Sequence, residues 1–309
     1  MTVETLAPDP FEHAVLASVR HRRAALTMAF CALCWSSAGG LVRLLDRQNG
    51  IELTFLRSLF CALAVFALLA WRRRGNPLTP VMAMGWPGLL SGLMWAIMFT
   101  AFTLAITLTT VANTLLVLSL APFFAAVLGW LVLRQQVVSR TWVAMSVAGF
   151  GIWWMVRHGI SREGYAGMTI ALACPLASAV NFVTMRKIHT RIDLMPAVLV
   201  GAVISLIAMA PFALPFAPSP RDVAIIAFLG VFQLALPSML LVRATRFLSP
   251  HEVALIALLE VVLAPLWAWM FGGEVMSIAT IQGGLLVIGA LVANEFFGTS
   301  RAAATVGPT

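Results

Sequence analysis

Ionisable groups are scarce inside the apolar parts of this chain, and the few present bound the chemistry it can do. Glu260 is the one carboxylate placed well inside an apolar run; Asp46, Glu52, Glu274 and Glu295 fall near the ends of such runs. Burying an ionised group in hydrocarbon is costly unless it is paired, hydrated or protonated, so a deep carboxylate is a functional candidate by default. Glu260 reads either as a site for a substrate ammonium or a proton, or as a carboxyl bonded to a neighbouring helix or to backbone freed by Pro265. Arg57 is the matching cation, about one turn inside its run. It could attract a substrate carboxylate, but its place near the end of the run favours snorkelling to the outer interface or pairing with Glu52 or Glu274. His13, His21, His158, His189 and His251 lie in the tail or near loops, so no catalytic set and no metal-spaced cluster forms within the runs. There is no Gly-rich phosphate loop with its Lys. An enzyme is not expected, nor a metal, nor a cofactor. Cys31, Cys34, Cys61 and Cys174 all lie in apolar runs, and the CxxC formed by the first two reads as packed thiols.

The uncharged groups within the runs suggest a binding cavity. Trp35 stands beside Ser36 and Ser37, and Trp95 heads a stripe through Thr100, Thr103 and Thr107. Asn113, Asn181, Gln233 and Gln282 are amides inside runs, each able to bond across helices or to touch a substrate. An aromatic lining with a few hydroxyls and amides suits an amphipathic or aromatic small molecule. The candidate cavity residues are Trp35, Ser36, Trp95, Thr100, Asn181, Glu260 and Trp267, with Glu260 also the candidate for ion coupling. Helix packing is the competing explanation for each tryptophan. Pro122, Pro175, Pro237 and Pro265 each remove a backbone hydrogen bond within a run, and the freed carbonyl needs protein or water. These are candidate gating kinks, or simple shape-setting ones. Trp71, Trp86 and Trp142, near run ends, read as interface anchors.

The elements that position these groups follow from composition. Hydrophobic residues make up 61% of the chain and charged ones 10%, against about 25% charged in an average soluble domain. The mean hydropathy is +0.96. Apolar runs near 20 residues, long enough to cross roughly 30 Å of hydrocarbon, recur throughout. The spacing predicts ten helical spans near 24–45, 52–71, 80–105, 110–133, 139–157, 165–185, 194–216, 221–247, 250–272 and 276–296. Residues 1–23 and 298–309 are expected as cytoplasmic tails; residues 1–20 lack the basic-then-apolar order of a cleaved signal peptide. The +8 formal charge is distributed as topology requires and does not imply a nucleic-acid partner. Placing the N-terminus inside puts 14 of the 20 basic residues on the cytoplasmic side and five outside. The expectation is a multi-pass protein of the cell (inner) membrane with both termini cytoplasmic.

The stretch Ala257–Glu274 is loosely copied 139 residues earlier by Leu118–Gln135, with Gln135 falling on Glu274 and Trp130 on Trp269. A weaker echo pairs Trp35–Arg43 with Ser178–Arg186. These pairs lie in spans four and nine, and in spans one and six, each five spans apart. An odd repeat turns the second copy upside down, and inverted five-helix halves are a transporter architecture with the site near the midplane between them.

On these features the chain resembles the drug/metabolite transporter superfamily, EamA type, over about residues 24–296. The resemblance rests on the ten-span layout, the short connection between spans three and four, FLRSLF at 55–60 and LLEVVLAPLWAWMFGGE at 258–274. In the family the repeat in spans four and nine usually carries a proline motif and ends in Gly-Glu. Here the first copy has Pro122 but ends Arg134–Gln135, and the second has Val261 after Glu260, with Pro265 four residues on. The resemblance implies an all-α membrane protein of two five-helix repeats, 24–158 and 159–297. It also implies a secondary transporter exporting small metabolites, amino acids and aromatic ones favoured, by alternating access. A proton-coupled multidrug exporter of organic cations is the alternative, and an intramembrane enzyme acting on lipid a remote one. Expected partners are a small-molecule substrate and the lipid bilayer, with the protein acting as a monomer or weak dimer.

Overall fold

The computed structural model describes residues 10–304 except 43, 47, 48, 74–77, 110, 158–163, 189–191, 214–217 and 273–276. Among the described residues the regular structure is entirely helical. Eight stretches are long and apolar enough to cross a membrane: Val15–Val42, Gly50–Arg72, Gly85–Ile106, Asn113–Leu133, Tyr165–Ile188, Pro196–Ala213, Pro220–Ala244 and Pro250–Trp267. The remaining two of the ten expected segments are helices as well, Ser139–Val156 and Ile278–Ala304, and they pack against one another. The numbering of spans one to ten follows chain order.

Span one begins earlier than expected. Its helix runs Pro10–Ser36, so residues 10–23, expected as tail, are helical. Proline is preorganised for a first helical position, and the following EHAVLASVRHRR is rich in good helix formers. At the other end the tenth helix continues to Ala304, into the expected C-terminal tail.

Several spans are interrupted. Span three turns at Met84, and Gly85 takes φ +57°, a left-handed conformation that glycine adopts without steric cost. Span four breaks between Val111–Leu118 and Ala121–Leu133, and span nine between Pro250–Ala257 and Leu259–Gly272. These two breaks are equivalent under the 139-residue offset. Pro122 sits in the first turn of a new helical segment, where a missing N–H costs nothing, whereas Pro237 lies within the continuous helix of span eight. Pro237 follows a π-helical stretch, Leu229–Ala235, in span eight. Pro175 and Pro265 lie inside their helices.

Most of the extensive helix contacts follow a two-fold exchange of each span with the one five later. Span three packs on span six as span eight packs on span one; three packs on seven as eight on two; four packs on six as nine on one. The pairs four–nine, two–seven and five–ten map onto themselves. Glycine permits the closest crossings. A Cβ on Gly201 would lie 2.4 Å from the Trp95 Cβ, and one on Gly230 would lie 2.8 Å from the Arg57 carbonyl oxygen. Gly92, read as part of a small-residue face on span three, meets Val200 of span seven in the same manner. The main core joins spans one to four with six to nine. A second cluster ties spans four and nine to helices five and ten. Cys31, Cys34, Cys61 and Cys174 are free thiols.

Candidate functional site

Spans one to four, six, eight and nine enclose a cavity with about 850 Å³ of empty space, its open side included. Its wall sits on the pseudo-two-fold relation. Leu118 and Ala257, Trp95 and Leu234, and Ala121 and Glu260 are offset-equivalent pairs, and every member lines it. Helices five and ten and span seven contribute nothing to the wall among the described residues. They brace it from behind.

Most of the wall is apolar or aromatic, including Trp35, Trp95, Phe99, Phe102 and Phe182. Trp95 is 1% exposed, and its ring packs on that of Phe99, centroids 5.3 Å apart. The close approach of Gly201 fixes the Trp95 backbone from behind. Pro175 and Ser178 bring the kinked middle of span six into the wall.

Two opposite charges face this apolar space. Glu260 is half-buried in the first turn after the span-nine break. Arg57 is 4% exposed and lines the cavity from span two. The charges feel one another's field. Yet neither group makes an ion pair or a side-chain hydrogen bond with any described residue. The snorkelling or Glu52-paired arginine expected from the sequence is thus replaced by a buried one turned into the cavity. Glu274, its other expected partner, lies outside the described residues. Leu53, Arg57, Cys61, Val65 and Leu69, spaced four residues apart along span two, are all buried.

The structure brings Trp35, Trp95 and Glu260 of the candidate residues to the wall. It places the other four among helix contacts. The Trp267 indole donates to the Ser36 hydroxyl at 2.8 Å, and Ser36 donates to the Leu33 carbonyl. Thr100 bonds the Ser205 hydroxyl at 2.9 Å, which also accepts from Ser58, joining spans two, three and seven. Asn181 accepts from Ser91 at 2.7 Å. Of the kink prolines, Pro175 reaches the wall. Gln282 accepts from the Trp154 indole between the fifth and tenth helices. Gln233 lines the cavity while its amide nitrogen donates to the Trp35 carbonyl at 3.2 Å. No cluster of three or more His, Cys, Asp or Glu able to hold a metal occurs among the described residues.

Arranged this way, the cavity can hold a small molecule with an apolar body and charges of both signs. Known proteins bear on what such a cavity serves. The chain is 24% identical over 252 residues to the pseudopaline exporter CntI of Pseudomonas aeruginosa, in strains UCBPP-PA14 and PAO1. That match covers 78% of this chain and 84% of the relative. A solved crystal structure superposes with a TM-score of 0.77 at 17% identity, over 89% of this chain and 98% of the other, and so shares its fold. The EamA-like transporter family model matches twice, over residues 22–157 and again over 165–294. Both helical repeats around the cavity are therefore copies of one family unit, and the chain belongs to the EamA-like transporter family.

Proposed function

We propose that this protein is a secondary transporter that exports small zwitterionic metabolites of the amino-acid type, with amphipathic or aromatic side chains, by alternating access. The observation that carries this reading is the two opposite charges, Arg57 and Glu260, facing one apolar aromatic cavity without an ion-pair contact to any described residue. A buried charge without a partner is strongly unfavourable. A zwitterion supplies both partners at once, its carboxylate to Arg57 and its ammonium to Glu260. The aromatic wall takes the rest of the molecule. A relative named as an exporter supports outward direction. The moving units are the halves 24–158 and 159–297, with both termini in the cytoplasm, and one copy of the chain contains the whole cavity.

The competing reading, a proton-coupled exporter of organic cations, draws on Glu260 alone. Arg57 disfavours it, because a like charge in the same low-dielectric space repels a cation. Proteoliposomes decide between the two. A labelled panel of aromatic and aliphatic amino acids, a quaternary ammonium drug and a nucleoside is tested with and without a pH gradient, using the native chain and Glu260→Gln. Amino-acid flux that falls at least tenfold in the variant is the expected result. Cation flux that needs both Glu260 and the gradient, with no amino-acid flux, overturns the proposal in favour of the multidrug reading.

A further inference from the structure

Two polar atoms in the cavity region lack any partner in the protein. The Trp95 indole N–H, on span three, donates to nothing, and the Gln233 side-chain oxygen, on span eight, accepts from nothing. Both residues line the cavity and are at least 96% buried. Orphaned buried polar atoms are rare in folded proteins, and each calls for an explanation. Two on one wall call for a common one. The other orphaned side-chain amide atoms, the Asn181 nitrogen and the Gln135 oxygen, belong to residues outside the wall.

Their arrangement is specific. Spans three and eight exchange under the pseudo-two-fold, and Trp95 is the offset-equivalent of Leu234, next to Gln233. Both residues fall near the middle of their spans, Gly85–Ile106 and Pro220–Ala244. The Gln233 amide is oriented by its nitrogen, which donates to the Trp35 carbonyl, so the oxygen is the group left over. The π-helical stretch Leu229–Ala235 holds this residue, and such stretches recur at functional sites. Trp95 offers a donor only and the Gln233 oxygen an acceptor only. A single ligand group satisfies both if it accepts and donates together, as a hydroxyl or a primary carboxamide does.

We propose that Trp95 and Gln233 form a side-chain subsite that selects substrates carrying a hydroxyl or carboxamide over their apolar isosteres. This rests on the zwitterion reading above, in which Arg57 and Glu260 take the α-carboxylate and α-ammonium. A site built to hydrogen-bond a substrate group rejects the analogue that lacks it, because its own polar atoms then stay unpaired.

The test is uptake by proteoliposomes of isosteric pairs, threonine against valine and tyrosine against phenylalanine, with the KM ratio of each pair as the readout. With the α-groups held by Arg57 and Glu260, only one side-chain length brings its hydroxyl to the subsite. The native chain is therefore expected to favour the hydroxylated member of one pair about tenfold, the size of one net hydrogen bond. In Trp95→Phe and in Gln233→Met the ratio is expected to fall toward one. A native ratio near one in both pairs, or a ratio unchanged in both variants, overturns the subsite while leaving the zwitterion reading intact. If a variant gives no flux, the ratio of dissociation constants measured by titration on the purified protein replaces it. A variant that does not purify leaves the other to decide. Native flux of neither member of either pair sinks the zwitterion reading and the subsite with it.

Discussion

Arg57 is the residue on which the substrate class turns, and its charge can be removed without touching Glu260. Arg57→Gln leaves a lone carboxylate in the aromatic cavity. The KM for a zwitterion such as phenylalanine is then expected to rise roughly ten- to a hundredfold, the equivalent of the ~1.5–3 kcal/mol of a hydrogen bond to a charged group. Flux of a quaternary ammonium compound, excluded by the native arginine, is expected to appear. Arg57→Lys keeps the charge but loses the planar bidentate fork, so it is expected to recover only part of the loss. An unchanged KM in Arg57→Gln, with the variant still folded, would show that the guanidinium serves packing alone. Glu260 was visible in the sequence because depth along a span can be counted. Arg57 was misplaced because its orientation depends on rotation about the helix axis. The same distinction separates Trp35 and Trp95, which reach the wall, from Trp267, which turns its indole to Ser36. Nothing in the order of residues states which face of a helix another helix will cover.

At the scale of the helix, span positions followed from hydropathy, but the interruptions did not. Span nine breaks at Leu258, seven residues before its proline, and span eight changes to π-helical winding before Pro237. Pro237 marks the second, but local composition does not mark the first. At the span-nine break the backbone tightens, with the Leu258 N–H donating to the Leu255 carbonyl and the Val261 N–H to the Leu258 carbonyl. The end of span four has a clearer origin. Arg134 caps it at φ 55°, the left-handed conformation for which glycine is the usual choice. The offset-equivalent residue of the second repeat is Gly273, and here an arginine takes the strained position. Glycines at the crossings provide a test of the architecture. Gly230→Val places a Cβ 2.6 Å from that of Phe60 and 2.8 Å from the Arg57 carbonyl, both anchored to backbone, so spans two and eight must separate. Overpacking of this kind costs about 1–3 kcal/mol, and a lowered melting temperature together with weakened zwitterion binding is expected. Gly289→Ala on the tenth helix meets nothing within 4 Å. It should melt no lower than the native chain, and could gain up to about 1 kcal/mol of helix propensity. Equal melting temperatures for the two variants would contradict the crossing as described.

Across the whole molecule, the contact pattern is symmetric and the charges are not. Exchanging each span with the one five later preserves most of the packing, yet Glu260 has Ala121 as its offset-equivalent and Arg57 falls on Pro196. Symmetric halves give a protein two equivalent ways to rock around a central cavity, while the asymmetric charges give that cavity one preferred ligand orientation. The repeat was detectable in the sequence because its packing residues keep similar types in both copies. The site was less so, because its charges occur in one copy each. Inversion makes a prediction that packing alone does not. Thr79 and Arg221 lie in the first turns of the helices that begin spans three and eight, and both are exposed. With five spans between them, equivalent starts must face opposite sides of the membrane. In a background with Cys31, Cys34, Cys61 and Cys174 replaced, Arg221→Cys should react in intact cells with a membrane-impermeant maleimide. Thr79→Cys should react only after the membrane is opened. The loss of the exposed Arg221–Asp46 pair, 3.7 Å apart, should cost little. Labelling of both from the same side would rule out inverted halves, and with them a cavity that opens to each side of the membrane by the same motion.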